Sequence, residues 1–270
     1  MHKNTFFSLL CLLYSGLIIS ACTTLGPMPG ITALSPVPND RTGVEIQSGY
    51  VPGFYLSDAV QENPNGDIMV QFSGMFDPGE WLPVKGLSMG ARYVTGSSSK
   101  GIIEPMIRYR RHLDKDQRIA TQVTAFGTHA SGGSEGASYE ATRGGIELST
   151  DIRVTPKFKW IELHVTGGSS LTLISANGSY CSNNNGYGMK CEDGQSADTH
   201  TDTFGAYPAL FVGSYLDFFR HTDWYIHNLR VGFYMAAGRM PRVRHGKQED
   251  IDQSWHSYGV NVIAGFGAGK

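Results

Sequence analysis

Between Leu87 and Phe266 one pattern recurs about eight times: a stretch of 10–12 residues with apolar side chains at alternate positions, then a turn or loop. Successive side chains of a strand point to opposite faces, so this alternation marks strands whose two faces meet different surroundings. The intervening positions are often charged. The interruptions alternate too, tight turns with long polar loops. A soluble sheet does not need that asymmetry, whereas a barrel crossing an outer membrane does.

The eight expected strands are Leu87–Thr95, Ile102–Arg111, Arg118–Thr128, Ser138–Val154, Trp160–Leu173, Phe204–Phe218, Trp224–Ala236 and Ser257–Phe266. Their lengths suit the 9–11 tilted residues of a membrane crossing. Tight turns are expected at 114–116, 155–157 and 220–223, and loops at 132–136, 175–202 and 238–253. Gly144-Gly145 breaks the phase of the fourth strand and predicts a bulge. Aromatic residues gather near both strand ends. Tyr109, Phe158, Trp160, Phe218, Phe219, Trp224 and Tyr225 lie by the turns, and Tyr93, Phe126, Tyr139, Tyr234, Trp255 and Tyr258 by the loops. Such belts fit the two interfaces of a bilayer.

Counting from the apolar positions, ten charged residues share the opposite face: Arg92, Glu104, Arg108, Arg110, Glu147, Asp151, Arg153, Glu162, Asp217 and Arg230. Gln122, Thr124, His164, Asn228 and Asn261 join them. A barrel of about eight strands is just wide enough for side chains to fill it. Five arginines and five carboxylates can pair there, and a buried charge left unpaired would cost several kcal/mol. Alternation by itself also allows a soluble β-sandwich or calyx with this charged face in water.

The N-terminus adds a second constraint. His2 and Lys3 precede an apolar run from Phe6 to Leu13 that continues to Ile18-Ile19. It is short for a spanning helix and has the form of an export signal. Ile19-Ser20-Ala21-Cys22 follows and resembles the bacterial lipobox. The resemblance implies cleavage before Cys22, lipid on its sulfur and acylation of the new amino terminus. Thr23 follows where lipoproteins kept in the inner membrane often carry Asp, so the resemblance favours the outer membrane.

Once Cys11 leaves with the signal and Cys22 carries lipid, Cys181 and Cys191 remain. In an oxidising compartment they are expected to form a disulfide across a short loop, contributing roughly 2–3 kcal/mol by the chain-entropy model. Four prolines between 23 and 44 make that stretch a tether. The expected organisation is therefore a signal at 1–21, a lipidated tether at 22–44, a pre-barrel segment or extra hairpin at 45–83, and a barrel at 84–268.

Composition agrees. Hydrophobic residues are 40%, ordinary for a soluble chain and low for a helical membrane protein, while Gly reaches 34 of 270. Net charge is −2, which gives no electrostatic case for nucleic acid.

Over about residues 85–266 the chain resembles the small outer-membrane barrels of the OmpA/OmpX type. Its last strand, Ser257 to Phe266, looks like the glycine-and-aromatic signal read by the barrel assembly machinery. Two departures stand out: Gly267-Ala268-Gly269-Lys270 follow the aromatic residue, and most members of that family carry no lipid. The resemblance implies an all-β, antiparallel up-and-down transmembrane barrel at the outer membrane. Expected partners are outer-membrane lipid, the barrel assembly and lipoprotein processing machineries, and an envelope protein. No cofactor is expected beyond covalent lipid on Cys22.

Catalytic signals are weak. His256 with Ser254, or His129 with Ser131, sits at a strand rim where lipid-modifying barrels keep a His and a Ser. Neither has specific spacing, and such pairs are more often polar residues at loop ends than catalytic ones. Glu162 and His164 share the inner face, where hydrogen bonding within the charged set is the simpler role. The oxygen-rich loop 175–202 matches no EF-hand spacing. Arg239, Arg242, Arg244, His245 and Lys247 form a basic loop suited either to phosphates or to plain solvation. The reading is a non-enzymatic barrel lipoprotein with a structural, surface-recognition or envelope-complex role and a charge-filled lumen. A lipid-modifying barrel enzyme and a soluble periplasmic β-sandwich lipoprotein are the alternatives.

Overall fold

Every expected strand is present, and most run longer than alternation alone suggests. The computed structural model describes residues 27–28, 43–55, 67–78, 82–96, 102–134, 137–158, 160–180, 199–219, 225–239, 243–245 and 254–267. Its strands are β1 (Pro27–Met28), β2 (Gly43–Tyr55), β3 (Asp67–Asp77), β4 (Leu87–Gly96), β5 (Ile102–His112), β6 (Ile119–Ser134), β7 (Ala137–Arg153), β8 (Ile161–Tyr180), β9 (Thr199–Phe218), β10 (Ile226–Arg239), β11 (Val243–His245) and β12 (Ser254–Gly267).

Each long strand pairs antiparallel with its neighbours in the order β2-β12-β10-β9-β8-β7-β6-β5-β4-β3, and β3 pairs back onto β2. The ring therefore closes. Ten long strands make the wall, not about eight. The two extra ones come from the stretch read as a pre-barrel segment or hairpin: Gly43↔Asp77 and Val44↔Phe76 begin the β2–β3 ladder, and Val44↔Phe266 and Tyr50↔Val260 join β2 to β12. Alternation was faint there because Pro52 interrupts β2 and Met75 puts an apolar side chain at an inward position of β3.

Both chain ends of the barrel, Gly43 and Gly267, lie at one end of the ring. The connections 78–86, 113–118, 154–160 and 219–225 share that end. At the opposite end the connections are 56–66, 97–101, 135–136, 181–198 and 240–253, the last containing β11, which pairs with β9 at Val243↔Thr203. The loop expected at 132–136 is only a two-residue connection, because β6 and β7 stay paired out to Ser134↔Ala137. The loop expected at 175–202 likewise shortens to 181–198 as β8 and β9 pair out to Tyr180↔Thr199.

The turn at 114–116 forms as expected. Gln117 N–H donates to Asp114 O at 3.3 Å, and the Asp114 carboxylate accepts from Ile119 N at 2.7 Å and Arg118 N at 3.0 Å. Those backbone donors, Ile119 first, hold the carboxyl below the ordinary aspartate range. A depressed folded-state pKa means the turn is favoured above the unfolded value of about 3.9 and loses that support as pH falls through the folded value. Proteolysis of this hairpin in the folded barrel should therefore rise as pH drops below about 4. Asp114→Ala should remove the pH dependence, and a slope unchanged in that variant would rule the carboxylate out.

No register shift interrupts β7 at Gly144-Gly145, so the expected bulge is absent. The glycine leaves room instead: Gly145 lies opposite Phe126, and a Cβ there would come within 2.7 Å of that ring. Tyr215 over Gly232 and Tyr234 over Gly259 repeat the device, each ring lying on the directly paired glycine of the next strand. A flat ring over a glycine lets neighbouring strands bend inward without a void, a known way of supporting curved sheets. Phe126 and Tyr234 are thus buried inside the barrel, not members of the loop-end belt.

Candidate functional site

The wall is apolar outside and charged inside. Among the outward residues, Ile103, Ile107, Leu148, Leu171, Leu173, Leu210, Phe233 and Val260 are exposed. All ten charged residues singled out from the alternation lie within, none more than 4% exposed. Gln122, Thr124, His164, Asn228 and Asn261 are buried with them. A water-soluble barrel would have the reverse arrangement, since exposing one large aliphatic side chain forgoes roughly 1.5–3 kcal/mol. Every backbone group of a closed ring finds its partner in the next strand, which is the condition for crossing lipid.

The outward aromatics mark two levels. At the end bearing Gly43 and Gly267, Trp160 meets Phe219 edge-on at 6.2 Å, and Tyr225 and Phe266 stand 6.1 Å apart. Phe233 and Tyr258 stack at 6.2 Å towards the other end.

The interior charges form two main clusters. Towards the loop end, Glu104 of β5 is held between Arg92 of β4 and Arg143 of β7, the latter at 2.6 Å. Arg92 also reaches Glu147 at 3.3 Å, and its guanidinium lies 4.4 Å from the Phe126 ring centroid. Towards the turn end, Arg230 of β10 bridges Asp151 and Asp217, each at 3.0 Å. His164 of β8 sits in this second cluster with Nδ1 2.6 Å from Asp151 and Nε2 3.4 Å from Glu162. Arg153 closes it through Glu162 at 3.3 Å, and Thr166 donates to Asp151 at 2.5 Å. Glu162 and His164 are therefore parts of one buried network.

Near the turns, Arg110 pairs with Asp77 at 2.9 Å and Arg108 donates to Ser88 Oγ at 3.1 Å. Two charged members escaped the sequence pattern. Arg143 lies just beyond the glycine pair read as a break in phase, and Asp77 belongs to β3, outside the stretch read as barrel. With them, six buried arginines face six buried carboxylates among the described residues. The signal for Asp77 was its spacing: Gln71, Ser73, Met75 and Asp77 alternate with Phe72, Gly74 and Phe76.

Of the rim residues, His129 is the histidine whose side chain lies among the described residues. His129 lies on the outer surface, its Nδ1 2.9 Å from Thr142 Oγ1 and its Nε2 3.8 Å from Glu140. Both contacts are made to β7, where Glu140 pairs in register with Ser131. His256 and Ser254 stand opposite Ala237 and Arg239 on β10, and their side chains fall outside the described residues. Cys22, Cys181 and Cys191 also lie outside them, as does most of the basic loop. No group of three or more potential metal ligands occurs among the described residues.

No family model and no curated protein matches the chain. Among solved structures, it aligns with the N-terminal β-barrel domain of Pseudomonas aeruginosa OprF at 9% identity and a TM-score of 0.30, covering 84% of this chain and 98% of that one. Ail, the attachment invasion locus protein of Yersinia pestis, aligns at 10% identity and 0.30, covering 84% and 97%. The outer membrane protease OmpT of Escherichia coli aligns at 10% and 0.33, covering 85% and 94%. At those scores the likeness carries no weight beside the chain's own ladders, which by themselves make it an all-β, antiparallel up-and-down barrel.

Proposed function

We propose that the chain is a lipid-anchored barrel of the bacterial outer membrane, acting in surface recognition or envelope organisation and not in transport or catalysis. The supporting observation is the inverted wall, aliphatic outside and ion-paired inside. By the usual orientation of such barrels, the end carrying Gly43 and Gly267 faces the periplasm and the end with loops 181–198 and 240–253 faces outward. The anchor is Cys22, and Cys181 and Cys191 form a disulfide in the outward loop. Arg92, Arg108, Arg110, Arg230, Tyr215 and Tyr234 are the largest fully buried side chains, and all point into the lumen. The ion pairs that join β4 to β7 and β10 to β7, together with side chains of that size, support a filled lumen.

The outer-membrane fraction should then yield a band that migrates fast unheated and slow after boiling. The purified barrel should give no steady ion conductance in a planar bilayer. Thiol reagent should reach Cys181 and Cys191 only after reduction. A stable open channel would overturn the filled-lumen reading, and a protein released from the membrane by anchor cleavage alone would overturn the barrel.

A further inference from the structure

The turn end of the wall carries cations that the interior network does not use. Lys85, Arg111, Lys115, Arg118 and Lys157 are all exposed there, and none makes an ion pair with another described residue. They follow one another along the connections from β4 to β8. Gly86 O accepts from Arg110 N at 2.9 Å, which carries the β4–β5 ladder one step past Leu87↔Tyr109 and brings Lys85 level with Arg111. Arg118 O accepts from Arg153 N at 2.8 Å, which sets the 113–118 turn beside the connection that holds Lys157. Neighbouring strands stand about 4.8 Å apart, so the arc is roughly 20 Å long.

The acids described at this end do not cancel it. Asp77 is buried on Arg110, and the Asp114 carboxylate is taken by two backbone donors. Asp116 is the remaining exposed carboxylate there among the described residues. At the loop end the exposed charges whose side chains are described, Glu140, Asp202 and Arg239, show no such excess.

Arg111 gives the arc its level. It lies on the outer face of β5, between outward Tyr109 and Leu113, the latter 61% exposed. An arginine on a lipid-facing wall keeps its stem in hydrocarbon and sends its guanidinium to the interface. Apolar side chains interleave with the other cations. Val84 precedes Lys85, Leu113 stands two residues before Lys115, and Phe158 follows Lys157, each about half exposed or more. Such a mixture suits the boundary between hydrocarbon and headgroups.

We infer that this arc is a docking surface for anionic phospholipid, whose headgroup phosphates in the periplasmic leaflet supply the counter-charge that the described wall does not. This rests on the orientation proposed above, with the tight turns towards the periplasm. Arginine takes a phosphate through two parallel hydrogen bonds, and lysine meets it as a point charge.

The test reconstitutes the folded full-length protein in phosphatidylcholine vesicles carrying spin-labelled phosphatidylglycerol or spin-labelled phosphatidylcholine. The spectra give the relative association of each lipid with the barrel. Phosphatidylglycerol should be preferred by about fivefold or more at low salt, and the preference should fall as chloride is added. Replacing all five cations with Gln should bring the ratio close to unity, whereas Arg111→Lys with Arg118→Lys keeps the charge and should retain most of the preference. In phosphatidylcholine alone these exposed changes should leave stability nearly unchanged. Equal association by the native protein, or a preference that survives the Gln variant, overturns the inference. Inorganic phosphate and chloride at matched ionic strength should weaken the preference alike, and a stronger effect of phosphate would mark a free-anion site and overturn the lipid one. Lys115→Cys reads the orientation separately. A membrane-impermeant maleimide should label it in cells only after the outer membrane is permeabilised. Labelling in intact cells overturns the periplasmic placement together with the orientation beneath it, whereas the vesicle ratios decide the lipid preference itself.

Discussion

Replacing Arg230 with Met should destabilise the folded barrel by about 3–5 kcal/mol, the cost of leaving buried charge uncompensated. Arg230 is fully buried, and its two terminal nitrogens reach Asp151 and Asp217 at 3.0 Å each. Its guanidinium also faces the Tyr215 ring, 5.4 Å from the centroid. Without it three carboxylates, Asp151, Asp217 and Glu162, share Arg153 and His164. The measurement is the urea midpoint of the refolded protein, followed by loss of the fast-migrating band. Adding Asp151→Asn and Asp217→Asn should recover much of the loss, since neutral amides need no counter-charge. Arg111→Ala, an exposed position on β5, should shift stability by no more than about 0.5 kcal/mol. If Arg230→Met matched Arg111→Ala, the interior network would have no structural role.

Gly232→Val should be the next most damaging change. A Cβ at this position would stand 1.9 Å from Cδ1 and 2.3 Å from Cε1 of Tyr215. The tyrosine cannot swing aside freely, because it is almost completely buried among the interior side chains. Overpacking of this kind costs roughly 1–3 kcal/mol, and more where nothing can yield. Tyr215→Ala in the same chain vacates the volume, so the double variant should lose less than the sum of the two single changes. Simple additivity in a double-mutant cycle would show that ring and glycine do not act as a pair. Gly259→Val, under Tyr234 with 2.3 Å to its ring, should behave likewise.

Much of this architecture is legible in residue alternation, for a physical reason. Each strand from β4 to β12 apart from β11 separates hydrocarbon from a charged interior, so a period of two is imposed on the residues themselves. The ten charges read from that period all point inward. The period fades where one face no longer demands a single chemistry. Met75 on β3 puts an apolar side chain at an inward position, and Pro52 breaks the run in β2, so that stretch read as either a pre-barrel segment or an extra hairpin. Towards the loop end the outer face turns polar at Ser175, Asn177 and Ser179, which made the upper parts of β8 and β9 read as loop. The belt at that end was misjudged at Phe126 and Tyr234 because an aromatic ring suits either an interface or a glycine on the neighbouring strand. Only the register, Phe126↔Gly145 and Tyr234↔Gly259, distinguishes them.

The seam between β2 and β12 also bears on how the molecule comes to exist. All other ladders of the ring join strands close in sequence, whereas this one sets Tyr50 against Val260. Closure must wait until nearly the whole chain has been made, and such long-range pairing is slow because its loop entropy is spent before contacts form. Until then the sheet has two raw edges, each a template for pairing with another chain. A strip of this length, apolar on one face and open at both sides, is an aggregation hazard in water. Its survival in transit therefore depends on something else covering those edges until the last fourteen-residue strand arrives to close the ring.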